Sequence, residues 1–328
     1  MAEISPKIKF YDEEKLKNIN PNTMKLWKKY EVDMTLRELS PKTISGYLND
    51  LQHWWIYIYD NQGNQCVTDL DEDDITEFLF FCKQQGNNSR RMKRRMSSIA
   101  AFYKFLRKKK LINSNPMEFI DRPQKDVEII TQTFLTMDQV NKMREELDKN
   151  ISYSKTISSI HSALQLKCYA MFSLSTMARV TAVSSVKWEQ IDFDERVATD
   201  VLEKEGYLVT LSFSEEVKTI LIELKNFREE NKIDDSGFVF VTQMDGIHRQ
   251  VTTSTLNQWC KKIGVMINVP TLHPHDFRHS GSQLMKLNGA KVEDISALLH
   301  HKGTDVTIKY YLRVDQKKIQ ESHDKFGI

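Results

Sequence analysis

Between Gly86 and Lys110 the chain reads GNNSRRMKRRMSSIAAFYKFLRKKK, ten basic residues in twenty-five and not one acid. Apolar residues interrupt the charge at helical spacing: Met96, Ile99, Phe102, Tyr103, Phe105 and Leu106. A solvated tail has no need of that spacing, so the stretch predicts a folded helix with one face in a core and a basic face outside. Like charges this dense repel one another unless a counter-surface neutralises them, and a polyanion does so while releasing its own condensed cations. The excess is local, because the formal charge over all 328 residues is only +2.

Helical patterns with clear punctuation surround this stretch. In LSPKTISGYLNDLQHWWIYIYD, Ser40 suits a helix cap and Pro41 the first turn, and Ile44, Tyr47, Leu48, Leu51, Trp54, Trp55 and Tyr57 form an apolar stripe. TDLDEDDITEFLFFCKQQG repeats the design, with a cap region at 68–71, acids where the helix dipole favours them and Gly86 at the stop. Pro116 and Pro123 end helical structure. The expected organisation is an arm over 1–20 without firm periodicity, a helical domain over 21–121, a linker over 122–133 and a larger domain over 134–328. A chain of this length can bury two separate cores.

In the larger part Thr136 suits a cap, and a long helix is expected around His161 to Leu174. VATDVLE and YLVTLSF are short β-branched runs flanking Lys204-Glu205-Gly206, the pattern of a β-hairpin with its turn there, and GFVFVT reads as a further short strand. The fold class is therefore α+β, mostly α with a small antiparallel sheet. No apolar run reaches membrane-spanning length and the first thirty residues lack a signal peptide's apolar segment, so a cytoplasmic protein is expected. Cys66, Cys82, Cys168 and Cys260 are scattered without a CxxC pair, which predicts buried reduced thiols, with no metal site, disulfide framework or cofactor.

Three histidines and an arginine crowd HPHDFRH, residues 273–279. His275 and Arg278, three apart, project from one helical face and can grip the same small anion. Pro274 suits that helix's first turn and Gly289 its end. With nine histidines and fourteen arginines, chance alone supplies about 0.4 HxxR matches, so this pair by itself decides nothing.

The longer stretch HPHDFRHSGSQLMKLNGAKVEDISALLHHKGTDVTIKYYLRV resembles the C-terminal signature of tyrosine recombinases, the phage-integrase family. There H-x-x-R is followed by a second histidine and, nine positions later, by the nucleophilic tyrosine; His301 and Tyr310 stand at that spacing. TMARVTAV resembles the T-G-x-R-x-x-E segment that holds the family's first arginine and points to Arg179, and Lys204 in EKEG fills the slot of the hairpin lysine. The amino-terminal half, including LSPKTISGYLNDLQHWW, the basic helix and KKKLINSNPMEFIDRPQK, is similar to the family's SAM-like core-binding domain. The resemblance spans about residues 35 to 315.

What the resemblance implies is a C-shaped clamp around double-stranded DNA and metal-free strand exchange through a 3′-phosphotyrosine. Tyr310 would be the nucleophile. Arg179 and Arg278 would stabilise charge on the phosphate, with His275 accepting the tyrosine's proton and His301 positioning the phosphate. Lys204 would protonate the departing 5′-oxygen. Candidate DNA contacts are Lys42, Thr43, Arg90, Arg91, Lys93, Arg94, Arg95 and Lys104. Dimers or tetramers on DNA are implied, with the C-terminal segment YLRVDQKKIQESHDKFGI docking on a neighbouring subunit. Tyr311 is expected to pack, and His273 and His279 to serve local structure.

Three departures qualify the resemblance. Thr176-Met177-Ala178 replaces the small T-G turn, Ala182 replaces the acid three positions after the first arginine, and His300 replaces the glycine before the second histidine. The missing acid predicts that Arg179 is less firmly held, and the His300 side chain is expected to crowd the backbone at the phosphate. The departures leave two readings: a working recombinase for integration or excision, or a recombinase fold kept as a DNA-binding regulator of phage-repressor type. A topoisomerase-like relaxer is the third, disfavoured by the amino-terminal half.

Overall fold

In the computed structural model, which describes residues 12–124, 134–203, 206–244 and 246–300, the chain forms two compact units, 1–129 and 130–328. Twelve α-helices and two small antiparallel sheets lie among the described residues. None of these helices is long and apolar enough to cross a membrane. The expected class, mostly α with a little antiparallel β, is the one observed.

The first unit is helical throughout. A short helix α1 (Glu13–Lys17), capped by Asp12, lies in the segment where the periodicity gave no assignment. It is followed by α2 (Pro21–Leu36), α3 (Pro41–Asn61), α4 (Glu72–Gln84) and α5 (Ser89–Lys108). Ser40 caps α3 with Pro41 in its first turn, and Asp71 caps α4 in a reciprocal capping box with Asp74. Gly86 follows α4 at φ +78°, a conformation that favours glycine.

The apolar stripes of α3 and α5 meet in this unit's core. Leu51, Trp54, Trp55, Ile99, Phe102, Tyr103 and Leu106 are buried, while Ile44, Tyr47 and Leu48 are partly so. Trp54 meets Tyr103 edge to face at 5.6 Å, and the Tyr103 hydroxyl donates to the Val67 carbonyl at 2.8 Å, which satisfies the one polar atom of a buried ring.

In the second unit α6 (Met137–Ser152) starts at the Thr136 cap and α7 (Ile157–Thr176) runs through the middle of the core. From His161 onward α7 is buried on most of its faces, polar His161, Gln165, Ser173 and Thr176 included, as befits a central helix. Then come α8 (Val180–Ser185), a 3-10 turn at Trp188–Gln190, and a three-stranded sheet of β1 (Ile191–Asp192), β2 (Val197–Leu202) and β3 (Leu208–Ser212) in the order β1-β2-β3. β2 and β3 flank Lys204-Glu205-Gly206 as expected.

After α9 (Glu215–Glu230), β4 (Val241–Met244) pairs with β5 (Ile247–Gln250), and α10 (Thr253–Met266), α11 (Pro274–Leu287) and α12 (Val292–Leu298) complete the unit's described elements. β1 and β5 were not legible from the sequence. All four cysteines are buried and free.

Two local devices set the approach of α11 to α7 and the aim of the hairpin. Gly281 on α11 lies so close to α7 that a Cβ there would run into the Leu174 carbonyl and the Met177 side chain, so glycine is required for the two helices to approach. In the hairpin a β-bulge lies between Ala198 and Val201, with Asp200 at φ +53°. The extra residue shifts the alternation of β2, so that Ala198, Val201 and Glu203 all turn inward while Leu202 faces solvent.

Candidate active site

Arg179 stands where α7 ends and α8 begins, as the N-cap residue of α8. The turn ahead of it places Met177 in the left-handed region, φ 53° and ψ 23°, a position usually given to glycine. Met177 is buried, and with Ile295 and Leu299 it forms a small apolar cluster that seats α12. The chain therefore keeps a side chain in an unfavourable backbone conformation because that side chain plugs a core.

Arg278 lies on α11 with no exposed surface. Its Nη1 donates to the Met177 carbonyl at 2.6 Å and its Nη2 donates to the Leu299 carbonyl. Both carbonyls close helices, α7 and α12, and each lies two residues before a predicted site position, Arg179 and His301. A lysine would bring a single nitrogen to both carbonyls; the planar guanidinium offers each its own.

His275 is on the exposed first turn of α11, whose N-cap is His273. The His273 backbone N–H donates to Asp276 Oδ2 at 2.9 Å and its ring nitrogen Nδ1 lies 3.2 Å from the same oxygen, so His273 serves the helix start. His275 packs edge to face on His279, ring centroids 4.8 Å apart. Partial desolvation, then the positive charge of Arg278, lowers the His275 pKa from its ordinary value, so the ring is neutral near pH 7 and able to accept a proton. Burial, with His275 next, pushes His279 down to about 4.

A carboxylate that the sequence reading did not single out completes the cluster. Arg179 Nη1 donates to Glu203 Oε2 in an ion pair. Glu203 is 6% exposed and lies one residue past the end of β2, turned inward by the bulge. Its other oxygen, Oε1, lies 3.9 Å from His300 Nδ1, too long for a hydrogen bond. Burial alone would raise the Glu203 carboxyl; the nearby His300 and the charges of Arg179 and Arg278 more than offset it and hold the group below the usual carboxylate range.

The expected looseness of Arg179 is therefore corrected: Ala182 is fully buried and α8 carries no acid, but a carboxylate arrives from the hairpin instead. His300 occupies the left-handed position after α12, φ 51°, and its Nε2 lies 3.2 Å from the Thr210 carbonyl. That oxygen can only accept, so Nε2 carries the hydrogen. The imidazole is thus engaged with β3 and faces Glu203.

The structure thus brings together Arg179, His275 and Arg278 of the six predicted site residues, with Glu203 and His300 added to them. Lys204, His301 and Tyr310 lie outside the described residues, as do Tyr311 and the C-terminal segment expected to dock in trans.

In the first unit Lys42, Thr43, Arg90, Arg91, Arg94 and Lys104 are exposed and Lys93 is half-buried. Arg94 also braces the helix pair: its Nε donates to the buried Asp50 at 3.0 Å, an oxygen that Ser98 shares at 2.9 Å. Arg95 turns inward, 5% exposed, with Nη1 3.4 Å from Cys82 Sγ and its guanidinium 5.9 Å from the Phe78 ring. Its place three residues after Met92 and four before Ile99 was the available signal, since that is the apolar face of the helix.

Residues 133–318 match the family described as "Phage integrase family", and residues 28–110 match "Phage integrase, N-terminal SAM-like domain". Tyrosine recombinase XerC of Pediococcus pentosaceus is 22% identical over 302 residues, 88% of this chain and 93% of that protein. Tyrosine recombinase XerD of Oceanobacillus iheyensis is 25% identical over 293 residues, again 88% and 93%. Among solved structures, the XerH site-specific recombinase bound to palindromic difH substrate matches with a TM-score of 0.67 at 15% identity, covering 88% of this chain and 81% of that one. A lambda integrase dimer bound to a COC′ core site matches at 0.62 with 14% identity, covering 88% and 94%. These structural likenesses show the fold. The comparisons bring no support for the binding-only regulator.

Proposed function

The chain belongs to the phage integrase family of tyrosine recombinases, and we propose that it performs site-specific DNA recombination, cutting and rejoining strands through a 3′-phosphotyrosine formed by Tyr310. The observation that carries the reading is the convergence of Arg179, His275 and Arg278 at the junction of α7, α8 and α11, in a chain whose relatives are recombinases. Double-stranded DNA is the substrate, and the protein self-associates on it as a dimer or tetramer. The reading implies a cytoplasmic protein, working where the DNA is.

In this mechanism each residue has a defined task. As the Tyr310 oxygen attacks phosphorus, the P–O5′ bond breaks, and negative charge grows on the non-bridging oxygens, where guanidinium donors stabilise it. Arg179, one-third exposed, faces that negative charge directly with its guanidinium. Arg278 adds its field from beneath and reaches the phosphate only if the DNA complex uncovers it, because it is sealed from solvent. Neutral His275 takes the Tyr310 proton, Lys204 gives one to the leaving 5′-oxygen, and His301 orients the phosphate. The phosphotyrosine conserves the bond, and a 5′-hydroxyl of the partner strand reverses the step to rejoin DNA. The exposed basic residues of α3 and α5 hold the duplex through its phosphates.

The test is covalent trapping on a nicked suicide duplex, selected for binding from a randomised library. The expected result is an adduct that resists denaturation and that Tyr310→Phe abolishes. A tightly bound duplex that yields no adduct with the unaltered protein would overturn the reading.

A further inference from the structure

We propose that Glu203 is a positioning residue for Arg179, a carboxylate delivered from the β2–β3 hairpin that fixes the guanidinium for phosphate and takes the place of the acid absent at Ala182. This rests on the strand-cleavage reading and names the part that makes its arginine competent.

Four observations converge on Glu203. Its carboxylate pairs with Arg179 Nη1 although the two residues are 24 apart in the chain. No other carboxylate is available from α8, whose sequence is VTAVSS. The carboxylate is buried while the arginine is one-third exposed, so the geometry anchors one end of the pair and leaves the other facing outward. Lastly, the inward aim of Glu203 depends on the bulge at Ala198–Val201; a regular strand would turn position 203 to solvent along with 199 and 201.

Physically, an arginine at the mouth of a site has several rotamers, and each contact that selects one lowers the entropy lost when phosphate binds. A single ion-paired nitrogen is suited to this, because the guanidinium keeps donors on its other nitrogens. Glu203→Gln removes the buried charge and leaves without its partner only the one-third exposed Arg179, which water can solvate, so the substitution separates positioning from folding.

The experiment uses the full chain and the same nicked suicide duplex. Glu203→Gln keeps the shape and removes the charge. It is expected to retain DNA affinity within about twofold and a melting temperature within a few degrees, but to form adduct about 10- to 100-fold more slowly, the usual scale for loss of a supporting contact. In an Arg179→Lys background, followed over hours, the same substitution is expected to cost less than about threefold, because the group it acts through is gone.

Cleavage by Glu203→Gln at the unaltered rate or faster would overturn the inference, as would a full multiplicative loss in the Arg179→Lys background. A loss of cleavage that tracks a loss of melting temperature would assign Glu203 a structural role instead. Absence of adduct from the unaltered protein would fail the recombinase reading itself, a result distinct from these.

Discussion

Arg278 Nη1 donates to the carbonyl oxygen of Met177 at 2.6 Å, tying helix α11 to the left-handed turn that presents Arg179. The same guanidinium reaches the Leu299 carbonyl. One side chain thus sets the spacing between two helix ends that each precede a predicted site position, so Arg278 is part of the framework as well as of the proposed chemistry.

Arg278→Lys is accordingly expected to weaken the second unit as well as slow strand cleavage. Leaving one buried carbonyl without its donor costs about 1–3 kcal/mol, which lowers the melting temperature of a unit this size by about 5 °C. Calorimetry on the full chain checks this, and an unchanged transition would show that the carbonyl contacts carry no weight.

Met177→Gly sets two effects against each other. Relief of the left-handed backbone is worth about 1 kcal/mol, but the buried thioether that seats α12 is worth about 1.5–3 kcal/mol. Net destabilisation of about 1 kcal/mol is expected from denaturant midpoints. A stabilised variant would mean that the cluster with Ile295 and Leu299 contributes less than the backbone strain.

Stability should fall on acidification through His161. Burial, then the charges of Arg228 and His248, push its pKa down to about 4, with Asp235 opposing them. Arg228 Nε donates to its Nε2 at 2.9 Å, which requires an unprotonated nitrogen. A histidine depressed in the folded state binds fewer protons there than unfolded, so stability is complete above its unfolded value of about 6.5 and is lost as pH falls toward 4. The expected loss is about 3 kcal/mol over that window. Denaturation of His161→Asn across the same range should show a correspondingly shallower slope; equal slopes would remove His161 as the cause.

On DNA, Arg91 and Arg95 should behave differently despite their shared helix. Arg91→Ala is expected to weaken binding on all sequences and reduce the salt slope by about one unit. Arg95→Ala should leave the slope nearly unchanged and lower the melting temperature, because its guanidinium packs on Cys82 and Phe78. Arg94→Ala should show both effects, since it also strands the buried Asp50. Salt titrations of binding, read beside melting curves, distinguish the three.

Much of the architecture was legible because its signals are local. Ser40 with Pro41, the Asp71 cap region and the Thr136 cap mark helix starts wherever they stand, and the stripe from Leu51 to Tyr57 identifies a buried face by period alone. The HxxR pair was legible for the same reason, both residues lying on one helix. β1 and β5 were not, since strands of two and four residues exist only through their partners.

By itself, then, the sequence determined the class of fold, the family, the helix that carries His275 and Arg278, and the existence of a basic helical face. Those come from spacing and chain order. The tertiary structure alone decided that Glu203 holds Arg179, that Arg278 is sealed beneath two carbonyls, and that Arg95 belongs to a core. These depend on one bulged strand, one glycine-permitted helix approach and one side chain's place on a helix wheel, and through them residues tens or a hundred positions apart come within hydrogen-bond reach, a relation that no local pattern encodes.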